Sequence, residues 1–224
     1  MTINPVSMRL VLPRLYVILD AALISIPEKD CARSLVDAGV RLIQYRNKKA
    51  SARQLFETSR ELAEFLIPAG VRFVVNDRAD VAALAGADGV HVGQDDLGIG
   101  QARDVVGEGK WVGVSTHNAE QFQLAAAGSA DYVAVGPIFA TGSKENPDPV
   151  VGVDFVRQAR ALSGKPIVAI GGISLERAAE VINAGADSVA VISDILRAEN
   201  PGKRARQYID LLDKGNSLNA ARRA

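Results

Sequence analysis

Short β-rich runs alternate with stretches of helical periodicity along the whole chain. The runs predict strands at 15–20 (LYVILD), 41–46 (RLIQYR), 72–76 (RFVVN), 89–93 (GVHVG), 111–115 (WVGVS), 131–136 (DYVAVG), 166–171 (PIVAIG) and 188–193 (SVAVIS). Most are continuous apolar runs, the pattern of a parallel sheet covered on both faces. Between them, segments such as ARQLFETSRELAEFL and LERAAEVINAG repeat apolar residues at helical spacing. A small signature precedes many strands: DAGV at 37–40, PAGV at 68–71, AGAD at 85–88, AGSAD at 127–131 and AGAD at 184–187. In each, the glycine is placed to stop a helix in a left-handed conformation. Eight strand-and-helix units with no second composition zone predict an α/β protein, a single-domain (β/α)₈ TIM barrel over residues 14–214. A doubly wound open sheet is the alternative. Residues 1–13 read as an N-terminal extension, and residues 215–224 (GNSLNAARRA), with no apolar face, as a disordered tail.

Composition narrows the classes. Apolar residues make up 48% of the 224, enough for a sizeable core. The 26 basic residues balance the 26 acidic ones, so no electrostatic footprint for nucleic acid or an anionic membrane is visible. No apolar run approaches the ~18 residues that a membrane span needs, and the N-terminus lacks the layout of a signal peptide. The single Cys31 has no internal disulfide partner and reads as packing. A soluble cytoplasmic protein is expected.

In a barrel of this kind the loops after the strands form the active-site face. The strand ends read Gln44-Tyr45-Arg46-Asn47-Lys48, Asn76-Asp77, Gln94-Asp95-Asp96, Ser115-Thr116-His117, Gly171-Gly172 and Ile192-Ser193. Asp77 and Asp96, converging from neighbouring strands, would repel unless one takes up a proton or a divalent cation joins them. Mg²⁺, commonly held by one or two carboxylates plus substrate phosphates, would serve. The alternative is that both acids cap the helices that follow. Gln44, Arg46 and Lys48 alternate along a strand and project to one side. Arg and Lys there suit phosphate oxygens, unless the strand is a solvated surface one. Gly171-Gly172, opening a helix, would let a phosphate approach backbone N–H groups, with Ser193 adding a hydroxyl. Residues 137–152 (PIFATGSKENPDPVVG), with three prolines and two glycines, form the longest connector without helical periodicity and carry Thr141, Gly142, Ser143 and Lys144. The composite is a cation-rich pocket (Arg46, Lys48, Asp77, Asp96, Lys144) suited to pyrophosphate, beside a neutral backbone cradle suited to a monophosphate. No nucleophile–base pair stands out, which suits chemistry driven by stabilising a leaving group.

With those residues in hand, the sequence resembles the thiamine phosphate synthase family over about residues 14–200. The matching motifs are QYRNK (44–48), ND (76–77), HVGQDD (91–96), GVSTH (113–117), GPIFATGSK (136–144), AIGGI (169–173) and VAVIS (189–193). The resemblance implies that Gln44, Tyr45, Arg46, Asn47, Lys48, Asn76, Ser115 and Lys144 hold an aminopyrimidine methyl pyrophosphate. It implies Asp77 and Asp96 as Mg²⁺ ligands, and Thr141, Gly142, Ser143, Gly172, Ile192 and Ser193 as the holders of a thiazole phosphate. The family's reaction is dissociative: pyrophosphate leaves, a pyrimidine methylene cation forms, and the thiazole nitrogen captures it. Arg46, Ser115 and Lys144 would carry the catalysis, and the 137–152 loop would close over the substrates. The partners implied are these two phosphorylated small molecules, with no nucleic acid or membrane; whether the chain forms a homo-oligomer stays open.

Two rival readings remain. A thiazole tautomerase of the same fold would carry a His directly after the glycine that ends strand 6, where this chain has Pro137. A non-catalytic phosphate-binding barrel would need the cradle but not the acid cluster. Several residues have plainer readings: His91 as a satisfied barrel residue, His117 as a shaper of its loop, and Trp111 as part of the stability face. Arg204, Arg206, Arg222 and Arg223 read as a solvated C-terminal surface.

Overall fold

The computed structural model describes residues 10–142 and 148–221, with side chains as far as residue 213 at the C-terminal end. Ser143 and Lys144 lie outside the described residues, as do Arg222 and Arg223. Eight strands among the described residues form a closed, all-parallel barrel: β1 (Leu15–Asp20), β2 (Leu42–Arg46), β3 (Arg72–Asn76), β4 (Gly89–Val92), β5 (Trp111–Thr116), β6 (Tyr132–Val135), β7 (Ile167–Ile170) and β8 (Ser188–Val191). The ladder closes where β8 pairs with β1, Leu15 against Val189. The barrel expected from the run pattern is therefore the one found, and the open sheet is excluded.

Helices cover the outside: α1 (Glu28–Asp37), α2 (Ala52–Leu66), α3 (Ala79–Leu84), α4 (Ile99–Val106), α5 (Ala119–Ala127), α6 (Gly152–Leu162), α7 (Leu175–Asn183), α8 (Ser193–Leu196) and α9 (Pro201–Ala221). The last of these runs into the segment that the sequence pattern left without an element. α2 shows why such segments are helical. Ser51 caps it, accepting from the Gln54 N–H at 3.2 Å while the Gln54 side chain reaches back to the Ser51 N–H at 3.1 Å. Its Leu55, Leu62 and Leu66 then fall on one buried face, each contributing roughly 1.5–3 kcal/mol of burial.

Two refinements concern boundaries. At β4, β7 and β8 the apolar run outlasts the strand because the backbone is claimed elsewhere. The Gly93 N–H bonds to the Asp96 side chain at 2.7 Å, Gly171 turns to φ 99°, and Ile192 adopts ψ −85°. Among the helix-stopping glycines, Gly39, Gly70, Gly86 and Gly185 have positive φ, but Gly128 does not: it leaves α5 extended, at φ −81° and ψ −167°.

Side chains alternate across the barrel wall. Val17, Leu19, Ile43, Val75, Val133 and Val189 face the helices in the larger core. Tyr16, Ile18, Leu42, Val74, Tyr132, Ala134, Val168 and Ala190 fill the interior. Tyr132 fits because its neighbour in register on β5 is Gly113. A Cβ on Gly113 would fall within the Tyr132 ring.

The AGAD signatures acquire a physical role at the N-terminal end of the barrel. Asp88, Asp131 and Asp187 each accept a backbone N–H from the preceding strand: Phe73 at 2.9 Å, Val112 at 2.7 Å and Ile167 at 2.8 Å. Each also pairs with an arginine, respectively Arg72, Arg103 and Arg160. The device recurs at every second unit and saturates strand ends that the ladder leaves open.

Candidate active site

The opposite, C-terminal mouth collects the strand-end residues, and its two halves differ in charge. Over β1 to β4 the mouth is ionic. Asp20, ending β1, is buried and forms an ion pair with Arg46 at the end of β2. Its Oδ1 accepts the Ala22 N–H at 3.0 Å. Asp20 thus fixes one side of a guanidinium that has five donors to offer. The sequence reading missed it, although a carboxylate closing an apolar run was the same signal that singled out Asp77.

Lys48 Nζ lies 2.8 Å from Asp77 Oδ2. Asp77 is held left-handed at φ 63°, the one non-glycine residue so placed among the described residues. That conformation costs a residue with a Cβ roughly 1 kcal/mol, and the Asp77 N–H bond to the His91 carbonyl at 2.7 Å keeps it there. Neither acid caps a helix, because Arg78 and Gly98 occupy the N-cap positions of α3 and α4. Burial pushes the Asp96 carboxyl above its usual range, and the adjacent Asp77 carboxylate pushes it further, against the pull of the Gly93 N–H and Lys48. Two hard-oxygen groups pressed together in this way fit a cation of the Mg²⁺ type. No group of three or more His, Cys, Asp or Glu among the described residues forms a dedicated metal cage, so further ligands would have to come from substrate phosphate and water.

Over β5 to β8 the mouth is mostly apolar and forms a pocket, with His117 and Asp148 facing each other in its wall. Its lining includes Ser115, Pro137, Thr141, Ile170 to Ile173 and Ala190 to Ser193. Gly172 sits at φ 63°, and a Cβ there would overlap the Ala140 carbonyl oxygen. The β7–α7 loop can therefore press backbone against the loop that carries Thr141 and Gly142. His117 ties down the flanks of that loop. Its Nδ1 lies 2.6 Å from the Gly136 carbonyl oxygen, and its Nε2 faces Asp148 Oδ2 at 3.4 Å. The carbonyl can only accept, so Nδ1 carries a proton.

A buried hydrogen-bond chain joins the two halves through the barrel interior. Gln44 Nε2 donates to the Tyr16 hydroxyl at 2.7 Å, and that hydroxyl lies 3.0 Å from the Tyr132 hydroxyl. His91 Nδ1 is 3.1 Å from the Tyr132 hydroxyl, and His91 Nε2 is 2.9 Å from Ser115 Oγ. An amide N–H can only donate. If the chain ran the other way, the Tyr16 proton would be buried without an acceptor, at a cost of about 1–3 kcal/mol. The consistent order is Gln44 to Tyr16 to Tyr132 to His91 to Ser115, which leaves the Ser115 proton to point forward. Burial raises both tyrosine pKa values, so both hydroxyls keep their protons. His91 is a barrel residue with satisfied bonds, as read from the sequence, but its satisfaction is what orients Ser115.

Not every predicted side chain faces the mouth. Tyr45 points outward, buried against the helices, and donates to Glu28 Oε1 at 3.0 Å. Asn47 shapes the turn, accepting from the Lys49 and Ala50 N–H groups at 3.2 and 3.1 Å. Both bring backbone rather than side chain to the rim. Asn76 ends β3, half-buried, next to Asp77. Arg204 is not a solvated charge: it forms a two-pronged pair with Asp194 at 3.0 and 3.1 Å.

A family model described as thiamine monophosphate synthase matches residues 15–195. The chain is 53% identical over 207 residues to the thiamine-phosphate synthase of Koribacter versatilis, covering 90% of this chain and 96% of that one. It is 44% identical over 198 residues to that of Chloroflexus aurantiacus, covering 87% and 90%. Among solved structures, a thiamine phosphate pyrophosphorylase from Pyrococcus furiosus superposes with a TM-score of 0.82 at 31% identity, covering 90% of this chain and 96% of that chain. A 3-hexulose-6-phosphate synthase from Salmonella typhimurium, with a TM-score of 0.69 at 22% identity, shares the fold alone.

Proposed function

Since the chain belongs to the thiamine monophosphate synthase family and is a transferase of that kind, we propose that it joins an aminopyrimidine methyl pyrophosphate to a thiazole phosphate, or to its carboxylate. The products are thiamine monophosphate and pyrophosphate, with CO2 released as well when the thiazole is carboxylated. The observation that carries this reading is the divided mouth, with an ionic half over β1 to β4, a mostly apolar pocket over β5 to β8, and Ser115 on β5 where the two meet.

In the proposed reaction the bond between the pyrimidine methylene and the pyrophosphate oxygen breaks first, and its electrons leave with the pyrophosphate. Arg46, fixed by Asp20, and Lys48 present charged donors to the oxygens on which charge grows, with Lys144 assigned the same task from outside the described residues. The Ser115 proton, aimed forward by His91, adds a neutral donor. Asp77 and Asp96 would hold Mg²⁺, which supplies charge neutralisation on the departing group. Gln44, Asn76 and the backbone of Tyr45 and Asn47 frame the pyrimidine pyrophosphate. On the other side Thr141, Gly142, Ser143, Gly172, Ile192 and Ser193 present the thiazole phosphate, so that its ring nitrogen faces the methylene cation. That nitrogen brings its own lone pair, so no protein base is needed for bond formation. Ile170, Ile173 and Val191 give the pocket an apolar wall that keeps water from the cation.

The direct test incubates the pure protein with both substrates, with and without Mg²⁺, and quantifies pyrophosphate and thiamine monophosphate. Equal, Mg²⁺-dependent release of both supports the proposal. Isomerisation of a thiazole carboxylate phosphate without condensation would overturn it.

A further inference from the structure

The two loops of the β5–β8 pocket are braced from behind by the C-terminal helix. Asp194 follows directly on Ser193, and its carboxylate points away from the pocket toward α9. There it accepts from Arg204 Nε and Nη2 at 3.0 and 3.1 Å and from the Tyr208 hydroxyl at 2.6 Å. The same hydroxyl lies 3.3 Å from the Ile173 carbonyl oxygen, in the β7–α7 loop. Arg204 reaches Glu176 of α7 as well, at 3.7 Å. Burial raises the Asp194 carboxyl, but the Arg204 and Tyr208 hydrogen bonds outweigh it and hold the group below its usual range as an anion.

The geometry points to Asp194, Arg204 and Tyr208 as positioning residues for the substrate phosphate, locking the β7–α7 and β8–α8 loops into one cradle. This rests on the reading of those loops as the holders of the thiazole phosphate. A phosphate against Gly172 and Ser193 lies one residue from the Asp194 charge, and Arg204 makes that proximity tolerable. Without Arg204, a half-buried carboxylate would stand uncompensated beside an anion, and the two loops would be free to part.

The test uses the full chain with Arg204→Met, Arg204→Lys and Tyr208→Phe, and with Arg206→Met as the control. Arg206 is on the same helix but pairs with Asp210 and the Ala38 carbonyl instead. KM is measured for each substrate, and inorganic phosphate binding is followed by ³¹P NMR with Mg²⁺ and pyrophosphate saturating the ionic half. Arg204→Met is expected to raise the KM of the thiazole phosphate and weaken phosphate binding about tenfold, the scale on which groups behind a binding site act. The KM of the pyrimidine pyrophosphate should hold, Arg204→Lys should recover part of the loss, and Tyr208→Phe should show a smaller effect of the same selectivity. Equal changes in both KM values would reduce the brace to general scaffolding and overturn the inference, as would unchanged phosphate binding in Arg204→Met. The phosphate titration stands apart from turnover: a wild type that binds phosphate in the Arg204-dependent way but makes no product would sink the proposed reaction and not the brace.

Discussion

Asp77 combines two properties that rarely coincide, a strained backbone and a charge pressed against another of the same sign. Asparagine tolerates the left-handed region about as well as aspartate and would remove the repulsion with Asp96. Losing the Lys48 pair costs little, since Lys48 is half-exposed. Asp77→Asn is therefore expected to keep or raise the melting temperature while Mg²⁺-dependent turnover falls about 10²–10³-fold, the scale for removing one group that stabilises developing charge. A drop in melting temperature would show that the acid pair is not strained. The Gln44-to-Ser115 chain invites a double-mutant cycle. Tyr132→Phe should lower kcat in the wild-type background and add nothing in Ser115→Ala, because the relay ends on that hydroxyl. Additive losses would mean that Tyr132 acts otherwise. Single residues were legible in the sequence where they end strands: Asp77, Asp96, Arg46 and Ser115 all stand at the mouth. The relay was not, because its Tyr16–Tyr132 contact spans 116 residues and nothing in the local pattern of either tyrosine announces a partner.

Elements followed the sequence closely because each is specified twice, by an apolar run or face and by a local stop such as Gly39 or Gly185. The pattern overran where a backbone group had a better partner than the ladder, as at Gly93, whose N–H goes to Asp96. It was silent on α9, where a charged surface hides the fact that Arg204 is committed to Asp194. The strand-end aspartates at the other face carry stability rather than chemistry. Asp131→Ala would leave Arg103, itself buried, without its carboxylate and the Val112 N–H without its side-chain acceptor, and is expected to cost about 2–3 kcal/mol in urea denaturation. The kcat/KM should be unchanged, since Asp131 lies at the end of the barrel away from the mouth. A large loss of activity at full stability would contradict this division of labour.

At the scale of the molecule, the two ends of one barrel divide stability from function, and the mouth divides again into an ionic and a mostly apolar half. The formal charge of zero conceals that asymmetry, which only the closed strand order brings together. With two acids and a lysine already between them, Mg²⁺ alone should bind weakly. The melting temperature is expected to rise little with Mg²⁺, little with pyrophosphate, and clearly with both, as ligand linkage requires when each completes the other's site. Full stabilisation by Mg²⁺ alone would mean a protein cage that the described acids do not form. Gly113 and Tyr132 add a constraint of another kind. One residue supplies the void that the other occupies, so neither can change its bulk alone. A redesign that trades bulk across the barrel axis must rewrite both positions in one step, and it would break the hydrogen-bond chain to Ser115 as it did so.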